Sequence, residues 1–353
     1  MSLTELSYYI RKLFPFAIIF FIMFIILFYI LQTFLSVIST RPKNSTVFTR
    51  TIFNKISPPI VNNASSSAGL QFTLDTIEGE PVTATQTAKI YFLPPTTTRF
   101  GYREKIYLIA KTLGFNTDEV KHELNGKVAT FQDDTKTLKI DITNFNYSFE
   151  FDYTQDPTIF DGLLIPPKDR IEDSAVDFLK SIGRYPEELA QGKINVVYFN
   201  YNPEENKLYV TQKPQEANVV EVDFYRPDIS AVPEPIPIVS PKYFTSQNHV
   251  LMVFNESGYR ILKAQVEFYE RSYEQIGIYP LKTGLQAWEE LKVGRGLVIN
   301  NDNPAPDILV KKMFLGYYDP DTYQEYLQPV YVFLGDNNFV SYIPAVSSDY
   351  FGN

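Results

Sequence analysis

The sequence predicts an α+β protein: an N-terminal transmembrane helix followed by tandem helix-plus-antiparallel-sheet repeats. Three observations lead there. Residues 13–40 contain no charged side chain and are dominated by Ile, Phe and Leu. Three amphipathic stretches end on a glycine: Lys111-Thr112-Leu113-Gly114, Lys180-Ser181-Ile182-Gly183 and Leu291-Lys292-Val293-Gly294. After each of them come runs of β-branched and aromatic residues separated by turn residues, the signature of antiparallel meanders.

The first element is the apolar run. A bilayer core of roughly 30 Å needs about 20 apolar residues in a helix, and 13–40 exceeds that. No small-residue cleavage site follows, so the segment reads as an uncleaved anchor in contact with a lipid bilayer. Residues 1–12 form a short segment before it. Residues 41–67 read as a flexible tether, because Pro42, Pro58, Pro59 and Asn62-Asn63-Ala64-Ser65-Ser66-Ser67 offer little to bury. Long domains translocate largely regardless of flanking charge, so the large C-terminal part is expected outside the cytoplasm, on a cell membrane.

Ordered structure is expected from residue 70, with strands at 70–74 and 89–93. Residues 68–160 then make a first α+β unit. Its helix spans 102–113, with Ile106, Ile109 and Ala110 on one face, and Gly114 supplies the left-handed cap. Strands follow at 128–131, 137–142 and 147–153. Residues 161–232 make a second unit, with a helix over 171–182 and strands at 194–201, 207–211 and 219–225. Residues 233–353 make a C-terminal unit, set off by Pro233, Pro235, Pro237 and Pro241. It holds a hairpin of 250–254 and 259–269, a helix over 281–293, and strands at 308–318, 329–334 and 339–343. Each unit would lay one helix on one small sheet.

Composition narrows the function classes. There is no cysteine among 353 residues, which removes thiol nucleophiles, disulfides and zinc–thiolate sites. The formal charge is −9. Residues 1–60 carry six basic side chains against Glu5, or +5, which leaves −14 on the remainder. An acidic globular part argues against nucleic acid as a partner, because phosphate contacts need clustered Lys and Arg. The two histidines, His122 and His249, stand far apart with no ligand spacing and read as surface or strand-end residues. No phosphate loop, nucleophile elbow or dinucleotide fingerprint occurs. Asp319, Asp321 and Glu325 have a faint calcium-loop spacing. They lack the glycine and bidentate glutamate of an EF-hand, so they read as a solvated loop. No cofactor, metal or catalytic residue is assigned.

Leu315-Gly316-Tyr317-Tyr318, Leu327-Gln328-Pro329-Val330-Tyr331-Val332-Phe333 and Tyr342-Ile343-Pro344-Ala345-Val346 follow the helix that ends at Gly294. This C-terminal pattern resembles the last domain of the YycH/YycI proteins and their PepSY-like relatives. The resemblance implies a bacterial regulator anchored by one helix. Its partner would be an envelope protein, a sensor kinase or a paralogous anchored protein. The function expected is binding or regulation through protein contacts, not catalysis. The alternatives are an envelope enzyme acting on glycans through carboxylates, or a structural subunit of a cell-surface assembly. In residues 330–334 both faces are apolar: Val330, Val332 and Leu334 on one, Tyr331 and Phe333 on the other. Either the strand is central and covered twice, or Tyr317, Tyr318, Tyr331 and Phe333 form a protein-binding surface.

Overall fold

The computed structural model describes residues 20–32 and 48–352, apart from 99, 161, 232, 233 and 257. The chain divides into two compact units, Met1–Phe48 and Thr49–Asn353. In the first unit one helix is described, α1, residues 20–32. No helix among the described residues is long and apolar enough to cross a membrane. The reading of 13–40 as a single-pass transmembrane helix is corrected on that ground. The rest of that stretch, and residues 41–47, lie outside the described residues.

The second unit begins with three strands, β1 (Ser65–Ser66), β2 (Gln71–Leu74) and β3 (Thr87–Phe92). Helix α2 (Tyr102–Thr112) leads into β4 (Glu123–Asn125), β5 (Val128–Gln132), β6 (Lys136–Asp141) and β7 (Tyr147–Phe151). Helices α3 (Lys168–Ser181) and α4 (Glu187–Ala190) precede β8 (Lys193–Asn202), β9 (Lys207–Thr211) and β10 (Val219–Tyr225). Then come β11 (Ile238–Val239), the hairpin β12 (His249–Asn255) and β13 (Gly258–Val266), and β14 (Ile276–Pro280). Helix α5 (Gly284–Glu290) and the strands β15 (Leu297–Asn300), β16 (Asp307–Tyr318), β17 (Tyr326–Gly335) and β18 (Val340–Pro344) complete the unit.

These strands make two nine-stranded sheets among the described residues, and the protein is mainly β. One sheet has the order β4-β5-β6-β7-β13-β12-β10-β8-β9. The other runs β1-β15-β18-β17-β16-β11, with β2 along β16 and the β3–β14 pair joined to the start of β17. The expectation of tandem α+β repeats is therefore corrected. The helix-then-meander segments exist locally, but they do not close as separate sheets. β7 pairs with β13, Lys263 opposite Glu150 and Val266 opposite Tyr147. β10 pairs with both β8 and β12. The third meander recruits β1, β2 and β3 from far upstream. An open edge of a small sheet is an unsatisfied row of N–H and C=O groups, and joining the meanders edge to edge satisfies it.

Local chemistry explains the helices. In α2 the buried residues are Ile106, Ile109 and Ala110, and in α3 they are Ile171, Ala175, Phe178 and Leu179. This three-and-four spacing is one helical face. Both faces join Ala129, Phe131, Leu138, Ile140 and Phe149 in one core. Both helices stop at glycines in the left-handed region, Gly114 at φ 79° and Gly183 at φ 64°. α5 starts with a capping box between Thr283 and Gln286 and lays Ala287, Trp288 and Leu291 on the other sheet.

The stretch expected to be a tether packs as a strap from residue 49 to 67. Ile56 is 1% exposed and Val61 9%. The Ser67 hydroxyl donates to Leu291 O at 2.8 Å and accepts from Gly296 N–H at 2.8 Å. Gln324 brackets Ile60 through both its backbone groups. A segment poor in apolar residues is held here by buried Ile56, Pro59, Val61 and Ser67 and by satisfied polar groups.

Candidate functional site

The four residues proposed from sequence as a binding surface are all buried: Tyr317 and Tyr318 are 1% exposed, Tyr331 and Phe333 are 0%. β17 is a central strand with β16 on one side and β18 on the other. Tyr331 and Phe333 lie under α5, with the Phe333 ring 6.2 Å from that of Trp288. The Tyr331 hydroxyl donates to Lys282 O at 2.7 Å, and burial pushes its pKa up to about 12. Val330 and Val332 fill the opposite face with Tyr318, Tyr342 and Val61. The doubly covered strand is the alternative realised. Of the four, Tyr317 lines a cavity.

That cavity is a cleft of about 580 Å³. Its floor is the C-terminal half of β16, at Phe314, Leu315 and Tyr317. One wall is β3 with the segment before it, including Ala84, Thr87 and Lys89, and the other is formed by residues 229–231 and 234–237. Ile229 and Ile236 are joined by two backbone hydrogen bonds, at 2.8 and 2.9 Å. The Tyr317 hydroxyl spans from the floor to Lys89 O at 2.8 Å.

Sequence explains why the floor is open. β2 runs parallel to β16 and covers its edge only to Val310. β11 covers the same edge only from Tyr317 onward, where Tyr317 N–H donates to Pro237 O at 2.8 Å. Pro235 and Pro237 lack an N–H, so the strand cannot extend back along β16. Residues 311–316 are left without a neighbouring strand on that edge among the described residues. Phe314 and Leu315 point to opposite faces of β16, yet both line the cleft, so the cleft looks onto the strand's edge.

A second feature, absent from the sequence reading, is an ion network where the two sheets meet. Arg226 follows β10 and its side chain is fully buried. Its Nε donates to Asp319 Oδ1 at 2.8 Å and its Nη1 to Glu188 Oε2 at 3.0 Å. Its Nη2 donates to Tyr269 O, and the guanidinium lies 3.9 Å from the Phe268 ring centre. Arg271 pairs with the other oxygen of Glu188 at 2.9 Å. Gln247 Nε2 donates to Asp319 Oδ2 at 2.7 Å. Asp319 is thus a buried ion-pair member and not part of a solvated loop. Among the described residues no group of His, Asp and Glu is placed to hold a metal ion.

Burial also moves three other groups. His249, expected near the surface, is 8% exposed, and burial lowers its pKa to about 4. Asp223 faces it across β10 and β12. Burial raises the Asp223 pKa to about 7, against the Ser246 N–H that donates to its Oδ1 at 2.9 Å. Glu267 is raised by burial to about 8. None of the three lines the cleft. His122 sits against Tyr107, Nδ1 3.2 Å from the hydroxyl.

No protein-family model matches the chain, and no curated protein matches it. Among solved structures, an uncharacterized protein from Eubacterium rectale ATCC 33656 is similar at 12% identity and a TM-score of 0.34. That match covers 81% of this chain and 88% of that one. YycH from Bacillus subtilis is similar at 10% identity and a TM-score of 0.32, covering 76% of this chain and 56% of that one. The C-terminal sequence resemblance thus meets a weak structural likeness to YycH and no family model. No residue role is carried over from either protein.

Proposed function

We propose that this chain is a binding module that acts by holding another protein in the cleft between β3, β16 and residues 229–231 and 234–237. The observation that supports this most is the open edge of β16 beside a cavity whose wall is mainly apolar, with Ala88, Ile229, Ile236, Phe314 and Leu315. Unpaired strand edges template an incoming extended chain, and adjacent apolar pockets select its side chains. Asp223 and Glu267, whose pKa values burial raises to about 7 and about 8, lie away from this cleft, as does Asp319, which burial also raises, and this favours binding over acid–base catalysis there. In its finer form, the partner is a regulatory protein such as an envelope sensor, as the sequence resemblance implies.

Ala84 and Ser230 are exposed at the cleft mouth. A photo-crosslinker at either position, in the native host, is expected to capture one discrete protein. A crosslinker at the exposed Gln132 of the other sheet is expected to give no such product. Ser230→Arg should abolish the capture without moving the melting temperature. Equal capture from all three positions, or capture indifferent to Ser230→Arg, would count against the cleft.

A further inference from the structure

The sheet that begins at β4 ends on β9, which pairs with β8 alone among the described residues. The backbone shows which groups this edge presents. Asn218 N–H donates to Phe199 O at 2.9 Å, and Tyr201 N–H donates to Asn218 Oδ1 at 2.8 Å. Phe199 and Tyr201 therefore direct their backbone groups toward β10. Tyr198, Asn200 and Asn202 direct theirs toward β9, where they stand opposite Thr211, Tyr209 and Lys207. The N–H and C=O groups of Leu208 and Val210 are left pointing out of the sheet. Proteins blunt such edges with proline, bulges or very short strands. β4, at the other end of the sheet, has three residues. β9 has five, Lys207-Leu208-Tyr209-Val210-Thr211, with no proline and an unbroken register along β8. It also leaves Val210 67% exposed and Tyr209 46%.

We infer that two copies of this chain pair antiparallel along β9, about a two-fold axis at Tyr209. A two-fold contact must be self-complementary, and this register is. Leu208 faces the partner's Val210, Val210 faces the partner's Leu208, and each pair exchanges two N–H···O bonds. Leu208 and Val210 share a face of the strand, so the same pairs cover the exposed Val210. Tyr209 meets its own symmetry mate, and Lys207 faces Thr211, so no like charges meet within the strands. A shift of one residue would set outward groups against inward ones. A shift of two residues one way would bring Val210 to Asn206, which leaves the strand at φ 52°. The other way would bring Lys207 to Lys213, and like charges directly opposite are destabilising. A five-residue strand pair is smaller than the roughly 1,200–2,000 Å² interface of a stable complex, so the dimer is a reversible one. The contact lies in the other sheet from the β16 cleft and does not depend on it.

The chain has no cysteine, so introduced cysteines report the register. Tyr209→Cys, Val210→Cys, and an equal mixture of Leu208→Cys and Val210→Cys are oxidised under the same mild conditions, each in the full chain, and read as dimer on a non-reducing gel. Antiparallel partners have Cα atoms about 4.5 Å apart in non-hydrogen-bonded pairs and about 5.5 Å apart in hydrogen-bonded ones, both within disulfide reach. Tyr209→Cys and the mixture are therefore expected to cross-link. In Val210→Cys alone the two cysteines are offset by two residues, beyond about 7 Å. That variant is expected to give about tenfold less dimer, although Val210 is the more exposed residue. Val210→Pro, added to Tyr209→Cys, removes an outward N–H that makes no bond to β8. It is expected to cut the cross-link about tenfold with the melting temperature held. If the proline variant melts lower, Val210→Lys is read in its place, with the same loss expected. No dimer from Tyr209→Cys, equal yields from Tyr209→Cys and Val210→Cys, or a yield that the second substitution leaves unchanged would each overturn the pairing.

Discussion

Replacing Arg226 with methionine tests whether the ion network locks the two sheets together. The guanidinium is fully buried and meets Asp319, Glu188 and Tyr269 O at once. Methionine fills similar length but leaves the carboxylate of Asp319, 4% exposed, with Gln247 as its remaining side-chain donor among the described residues. Glu188 retains Arg271. Removing one partner of a buried ion pair costs about 3–5 kcal/mol, mostly the penalty on the charge left behind. Against a total stability of about 5–15 kcal/mol that is a large fraction. The assay is urea denaturation with two probes. The single tryptophan, Trp288, reports the core under α5, and far-ultraviolet circular dichroism reports both sheets. In the native protein the two transitions are expected to coincide. In Arg226→Met they should separate, because the sheet of β4–β10, β12 and β13 loses its anchor to Asp319. Adding Asp319→Asn should recover part of the loss by removing the buried charge. A cost below about 1 kcal/mol with coincident transitions would refute the locking role.

Two further outcomes follow from burial alone. Phe333→Ala, at 0% exposure under Trp288, should destabilise by roughly 3–5 kcal/mol through cavity formation; an unchanged melting temperature would mean that the ring is not core. Asp223→Asn isolates a pH effect. The folded pKa is about 7 against an ordinary 3.8, so the folded state keeps a proton that the unfolded chain has lost. The contribution of Asp223 therefore falls as pH rises from about 4 to about 7 and is level above that. The variant should match the native protein near pH 4 and exceed it by roughly 2–4 kcal/mol at pH 8. His249, with its pKa lowered to about 4, works in the opposite direction between about 4 and 6.5 but is common to both proteins. A stability difference independent of pH would refute the assignment of the proton to Asp223.

The candidate site was only partly legible. Tyr317, Tyr318, Tyr331 and Phe333 were found because runs of aromatics on both faces of a strand stand out. Apolar patterning on both faces is shared by a central strand and an exposed binding strand, and the choice needed the neighbours α5 and Val61. The cleft left one sequence signal that could have been read: Pro233, Pro235 and Pro237 carry no N–H to donate to a neighbouring strand. Nothing local marks Arg226, Glu188 and Asp319 as partners, since they lie 38 and 93 residues apart along the chain.

What the sequence determined by itself is the local layer. Three-and-four spacing placed α2 and α3, glycines at 114 and 183 ended them at positive φ, and period-two runs located β5 to β10, β12, β13 and β16 to β18. These depend on contacts within a few residues, which the sequence encodes directly. The assignment of strands to sheets was decided only by the tertiary structure. Whether β7 meets β13, or β1 meets β15, depends on edges brought together over more than a hundred residues, and period-two alternation reads the same whichever partner wins. The same holds for charge. Asp319 looks solvated in sequence, and becomes a buried ion because the closing of two sheets delivers Arg226 to it.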